Sequence, residues 1–179
     1  MTEDELLEHA KQGDHKAFQR LVECFEEPIA MIVKGILGDC AEAEDVGQEV
    51  FIRFYQYMHQ FKGNSTLKTY LTRIAINLSL NEIKKRKPTF DINNKEISET
   101  SMTIETKCSN FEEKEQIDKA LQQLSYEHRS IVVLRLMQGY SVKETAKMLE
   151  IPEGTVLSRL SRAQEKLRQI LKPIISVLL

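Results

Sequence analysis

From residue 14 to about residue 87, apolar side chains recur at intervals of three and four. That spacing lines one face of an α-helix, whereas a half-buried strand would alternate. Phe18, Leu21, Val22 and Phe25 make a first stripe, and Pro28 suits the opening turn of a second helix carrying Ile29, Ile32, Val33, Ile36 and Leu37. Gly38 and Asp39 stop it. A third helix is predicted over 41–60, with Val46, Val50, Phe54 and either Tyr57 or Met58 turned inward. Lys62-Gly63-Asn64-Ser65 reads as a turn. A fourth helix from Thr66 buries Leu67, Leu71, Ile74 and Leu78 and ends in Lys84-Lys85-Arg86-Lys87 ahead of Pro88.

Over 88–110 the helical period disappears into Thr, Ser, Asn and acidic residues, too few of them apolar to offset the entropy of ordering. The period returns at Phe111. Ile117, Leu121 and Leu124 form one stripe, and Ser125 can cap a helix that carries Ile131 and Leu134 and stops at Gly139. Ser141-Val142-Lys143-Glu144 then has the Ser-x-x-Glu form of a capping box. Its helix is stopped by Ile151-Pro152, and a further helix follows within three or four residues, the length that sets two helices at a steep angle for DNA binding. Val156, Leu160, Ala163, Leu167 and Leu171 share the buried stripe of that helix. Its opposite face therefore presents Ser158, Ser161, Arg162 and Glu165, with Arg159 and Lys166 on the flank. These are small polar and cationic groups able to enter a major groove. Lys143 and Lys147 on the preceding helix can meet phosphates.

The expected fold is all-α: two small helical domains, 1–87 and 112–179, joined by an acidic flexible linker over 88–111, the second domain containing a helix-turn-helix. Composition agrees, with only 7 Gly and 4 Pro in 179 residues. The net charge of −2 conceals strong segregation. Residues 1–61 hold 5 basic and 13 acidic groups (net −8), and 62–87 hold 7 and 1 (net +6). Residues 88–115 return to net −4, and 141–172 reach net +3. One acidic and two basic surfaces follow.

No stretch approaches the roughly 20 apolar residues of a membrane span, and residues 1–10 are acidic, so a cytoplasmic location without membrane insertion is expected. Cys24, Cys40 and Cys108 are widely spaced, with no metal-ligand pattern, and read as passive thiols. His9, His15, His59 and His128 are scattered. There are no paired carboxylates, no phosphate-binding Gly loop and no nucleophile constellation, so neither an enzyme, a cofactor, a metal nor a small-molecule substrate is expected.

Three stretches carry a family resemblance. Residues 43–51, Ala-Glu-Asp-Val-Gly-Gln-Glu-Val-Phe, resemble the acidic helix that sigma factors dock on the RNA polymerase core. Phe61-Lys62-Gly63-Asn64-Ser65-Thr66-Leu67-Lys68-Thr69-Tyr70-Leu71, continued by Ile74-Ala75-Ile76-Asn77, is similar to the loop and helix that melt promoter DNA. Pro152-Glu153-Gly154-Thr155-Val156-Leu157-Ser158-Arg159 matches the second reading helix. The chain thus resembles an extracytoplasmic-function, or group 4, sigma factor of the sigma-70 family.

The resemblance implies that Asp45, Gln48, Glu49, Ile52 and Arg53 bind core polymerase. It implies that Lys62, Asn64, Ser65, Lys68, Tyr70, Arg73, Asn77 and Lys84 hold the minus 10 element, largely as melted single strand. Lys143, Thr155, Ser158, Arg159, Ser161, Arg162 and Lys166 would read the minus 35 element as duplex. Physical reasons stand beside these roles: the α-helical steps from Asp45 to Arg53 present acceptors and donors together, and Tyr70, Arg73, Asn77, Asn81 and Lys84 form a polar and cationic stripe. An anti-sigma factor is implied as a controlling partner, and the linker is implied to thread toward the RNA exit path. Two departures lie on the reading helix, where relatives often carry a basic residue at Leu157 and an aromatic one at Ser161. Gly47 stands where a bulkier apolar residue is common. A stand-alone duplex regulator that uses its first domain to dimerise or sense a ligand remains an open alternative. The apolar tail over 173–179 either completes the second core or meets an inhibitory partner.

Overall fold

The computed structural model describes residues 1–86 and 110–178. The predicted linker lies outside the described residues except for its last two positions, which open a helix. All regular structure among the described residues is helical, in two clusters joined by the intervening region.

The first cluster holds α1 (Glu3–Lys11), α2 (His15–Leu37), α3 (Ala41–Tyr57) and α4 (Leu67–Arg86). Periodicity from Asp14 onward does not reveal α1. Its signal is the capping box Thr2-Glu3-Asp4-Glu5, in which Thr2 Oγ1 accepts from the Glu5 N–H and the Glu5 carboxylate accepts from the Thr2 N–H at 2.8 Å. Leu6, Leu7 and Ala10 pack it onto the core.

Pro28 does not start a helix; it lies inside one continuous α2. The apolar stripe Leu21, Phe25, Ile29, Ile32, Val33 and Ile36 keeps its phase across the proline, and burying it outweighs the single missing backbone hydrogen bond. Gly38, at φ 91°, ends the helix in a conformation open to glycine. α3 gives way to a 3₁₀ turn at Met58–Gln60, which buries Met58 and leaves Tyr57 exposed.

α4 is buried on two sides. Leu67, Leu71, Ala75 and Leu78 lie on one, and Thr72, Ile76 and Ser79 lie about 100° around the helix, all of them buried. The second side exists because α4 packs on α6 and α7 as well as on α2 and α3. Ile74, expected inside, is half-buried.

The second cluster holds α5 (Asn110–Gln122), α6 (Tyr126–Val132), α7 (Val142–Leu149) and α8 (Glu153–Leu178). α6 continues into a π-helical turn, Val133–Met137, closed by the Gln138 N–H donating to Val133 O at 2.9 Å. Ile117, expected in the buried stripe of α5, is 48% exposed, whereas Leu121 and Leu124 are buried. Ser125 stands at the start of α6, but its hydroxyl bonds the His128 ring at 3.1 Å rather than a backbone N–H.

The two clusters share a core. Val133, Leu134, Tyr140 and Met148 belong to the same apolar cluster as Ile32, Val33, Ile36 and Leu71, while two smaller clusters lie within the second group of helices, Leu121, Leu124, Val132 and Ala163 in one and Ile131, Ala146 and Val156 in the other. A Cβ at Gly35 would lie 2.9 Å from Val133 Cγ2, so only glycine admits this approach. Arg129 uses all five of its donors. Nε donates to Leu121 O, Nη2 to Gln122 O and Leu124 O, and Nη1 to Gln122 Oε1 and, across the seam, to Ile36 O at 2.6 Å. Burial pulls its pKa down to about 10, and neutral acceptors rather than a carboxylate hold the cation in place.

Candidate nucleic-acid interface

The helix-turn-helix is built from local capping upward. Ser141 Oγ accepts from the Glu144 N–H at 3.2 Å, and the Glu144 carboxylate accepts from the Ser141 N–H at 2.8 Å and from its hydroxyl at 2.6 Å. These bonds, the side-chain one foremost, hold the Glu144 pKa below its ordinary value. α7 ends at Glu150 in the left-handed region, φ 56° and ψ 42°, a position more often taken by Gly or Asn. The chain then turns through Ile151 and Pro152, whose carbonyl accepts from the N–H groups of Thr155 and Val156.

Val156 and Ala163 are buried under α8, with Leu160 and Leu167 half-buried beside them. The opposite face is open: Ser158, Ser161, Arg162 and Lys166 are exposed, as is Lys143 on α7, and Thr155 is half-buried. Arg159 is half-buried and ion-paired to Glu127 at 3.0 Å, so it is less available than the spacing implied. The Ser158 hydroxyl donates back to Thr155 O at 3.1 Å. Leu157 is 54% exposed on the flank of this face. His128 lies near Arg159, Arg162 and Lys166; burial first, then the Arg159 charge, pushes its pKa down and keeps it neutral.

In the first cluster Gly63, at φ 72°, turns the loop between the 3₁₀ turn and α4, leaving Lys62 and Asn64 exposed and Ser65 half-buried. Arg73, Asn77 and Lys84 share one outward face of α4. Tyr70 lies at its edge, with its ring packed 5.0 Å from that of Phe61 and 6.3 Å from that of Phe54. Lys68 points elsewhere. Its Nζ sits 5.9 Å over the Tyr140 ring, at the seam between the clusters.

On α3, Asp45, Gln48, Ile52 and Arg53 are exposed, and half-buried Glu49 pairs with Arg53 at 2.8 Å. Behind them runs a groove of about 440 Å³ between α2 and α3, lined by Val22, Ile29, Ala30, Glu44, Gly47 and Phe51. A Cβ at Gly47 would meet nothing within 4 Å. Spacing does not reveal this groove, nor the seam residues Thr72, Arg129 and Tyr140. Among the described residues no cluster of three metal-ligating side chains occurs, and no helix is long and apolar enough to cross a membrane.

Two family patterns match in order along the chain: Sigma-70 region 2 over residues 21–89, and Sigma-70, region 4 over residues 114–167. The ECF RNA polymerase sigma factor SigW of Bacillus subtilis is 30% identical, the match covering 94% of this chain and 96% of that protein. The chain belongs to the ECF sigma factors of the sigma-70 family. The RNA polymerase sigma-H factor of Pseudomonas aeruginosa is 31% identical over 97% of this sigma factor and 95% of its own length. Solved structures share the fold. CnrH in complex with the cytosolic domain of CnrY has a TM-score of 0.69 at 21% identity, over 94% of this chain and 96% of that one. The sigma factor RpoE from Bartonella quintana, in complex with the anti-sigma factor NepR, has a TM-score of 0.67 at 22% identity, over 88% and 98%. As a sigma factor, the protein is a DNA-binding transcription initiation factor and not an enzyme.

Proposed function

We propose that this sigma factor directs promoter-specific initiation through three surfaces: α3 for core polymerase, the 62–65 loop with α4 for the melted minus 10 strand, and α8 for the minus 35 duplex. The observation that carries the reading is the outward face of α8. Ser158, Ser161, Arg162 and Lys166 are exposed on a helix positioned by a capped partner and a tight turn, the arrangement a major groove accepts. Lys143 supplies a phosphate contact from the helix that crosses the backbone.

Melting needs compensation for lost stacking, and the first cluster has the groups for it. Lys62, Asn64 and Ser65 form a polar loop that leads onto the Arg73, Asn77 and Lys84 face, where phosphates of a single strand can be held. Tyr70, packed edgewise on Phe54 and tilted against Phe61, offers a base the exposed part of a rigid ring. On α3, Asp45, Gln48, Glu49, Ile52 and Arg53 present an acidic, mixed face to core polymerase. The chain's two domains are 1–87 and 112–179, each with one DNA-reading role. An anti-sigma factor is its controlling partner, as the complex of the Bartonella quintana relative supports, and its place of action is the cytoplasm.

The test adds the purified chain to core polymerase with a promoter library. Promoter-specific initiation supports the reading, and absence of core binding sinks it. Asn64→Ala with Lys62→Ala is expected to impair promoter opening while core binding persists. Loss of core binding by that pair would refute the division of labour.

A further inference from the structure

We propose that Leu157 is a specificity-determining residue of this sigma factor: its side chain packs against the methyl group of a thymine in the major groove of the minus 35 duplex. This deepens the reading that α8 enters that groove, and rests on it.

Leu157 is 54% exposed in the second turn of α8. A recognition helix presents its N-terminal turns to the base edges, so a side chain at this position meets bases rather than phosphates. Its neighbours leave it standing alone. Gly154, one turn back, has no side chain, and a Cβ placed there would meet nothing within 4 Å. Ser158 and Ser161 are small and exposed, and the Ser158 hydroxyl donates back to Thr155 O at 3.1 Å, along the helix rather than away from it. A helical side chain leans toward the N-terminus of its helix, so Leu157 reaches toward the open corner at Gly154. A base pair can approach that corner until its edge touches the isobutyl group.

The same turns offer guanine no cation. Arg159 is half-buried and paired with Glu127 at 3.0 Å, and Arg162 and Lys166 lie further along the helix. An apolar group at this place is matched by one feature of the major groove, the C5-methyl of thymine. Against any other base, Leu157 would displace water from polar base edges and return no hydrogen bond. A protein-docking surface, by contrast, takes a contiguous apolar patch. Among the described residues of α7 and α8, Leu157 is the one exposed large apolar side chain, and charged and small polar groups surround it. A methyl contact needs only one such group.

The test uses holoenzyme assembled from core polymerase and the full chain, on a promoter fragment that it selects. Each thymine of the minus 35 element is replaced in turn by deoxyuridine, which keeps every hydrogen-bonding group and lacks only the methyl. At one position the replacement is expected to weaken binding roughly four-fold, the worth of one buried methyl group. Leu157→Ala should bind the thymine duplex about as weakly as the deoxyuridine one and no longer distinguish them. Leu157→Met, still apolar and of similar volume, should keep the discrimination.

A selected element without thymine, deoxyuridine tolerated at every position, or Leu157→Ala as sensitive to the methyl as the parent chain would each overturn the proposal. So would Leu157→Ala weakening assembly with core while methyl discrimination persists, which places the leucine at a protein contact. Scrambling the whole minus 35 element separates the two levels. If that leaves holoenzyme binding unchanged, the reading of α8 itself fails; if it weakens binding while every deoxyuridine is tolerated, only the role of Leu157 does.

Discussion

Thr72 Oγ1 and Tyr140 Oη lie 2.8 Å apart, joined across 68 positions of sequence and enclosed by apolar side chains, with Thr72 fully buried and Tyr140 7% exposed. Burial raises the Tyr140 pKa, so the phenol stays neutral and able to donate. Tyr140→Phe strands the Thr72 hydroxyl and is expected to cost about 1–3 kcal/mol. Adding Thr72→Val removes the orphaned group and should recover most of that loss. Thermal or urea unfolding of the two single variants and the double variant measures the coupling; additive losses would show that the bond contributes nothing.

Arg129 closes the turn between α5 and α6 and touches α2 as well, so its loss orphans backbone carbonyls in two places. Arg129→Ala is expected to destabilise the chain by at least about 2 kcal/mol, since hydrogen bonds from a charged donor exceed neutral ones. Arg129→Lys should rescue little, because an ammonium cannot span acceptors arranged for a planar fork. Denaturant midpoints of the two variants decide the matter.

Gly47 lies in α3 with open space where its Cβ would be. Gly47→Ala is therefore expected to stabilise the chain by about 0.5–1 kcal/mol through the unfolded state and helix propensity. Gly47→Leu projects into the α2–α3 groove and should weaken core-polymerase binding several-fold while the melting temperature holds. Binding isotherms against core polymerase, read beside melting curves, separate the two effects.

Arg162 is exposed on the outward face of α8, and Arg159 is tied to Glu127. Arg162→Ala should cost about 1–3 kcal/mol of duplex affinity and relax preference at one base position, whereas Lys143→Ala should weaken all sequences alike and lower the salt slope by about one. Glu127→Gln frees Arg159 and should raise duplex affinity. Competition binding at several salt concentrations distinguishes these outcomes.

The Glu144 carboxylate has a depressed pKa because Ser141 donates to it from both hydroxyl and backbone, with Arg135 adding a smaller attraction. Protonation costs those bonds. The cap of α7 is therefore at full strength above the ordinary value of 4.5 and is lost as pH falls through the depressed one. NMR titration should show the Ser141 and Glu144 amides shifting below pH 4.5, and Glu144→Gln should abolish that step while keeping much of the cap.

The two capping boxes, the apolar stripes of α2 and α8 and the charge reversal at Lys62 are legible in sequence because each rests on neighbours within one or two turns. So is the outward face of α8, since a helix with one buried stripe must present the other. Pro28 and Ile117 show where that reading fails. Pro28 obeys the wider apolar phase of α2 rather than its own backbone preference, and Ile117 lies in the helical period without finding a surface to cover it.

Helix content, the order of the two clusters and the exposure of Ser158, Ser161, Arg162 and Lys166 follow from the sequence alone, since local periodicity and capping energies act between positions a few residues apart. Tertiary structure decided that α4 has a second buried side, that Lys68 lies over the Tyr140 ring, and that Arg129 and Thr72 belong to one seam. Those contacts join residues 68 to 93 positions apart. No spacing rule reaches that far, because such pairs are selected by the shapes of whole packed surfaces and not by the repeat of a single helix.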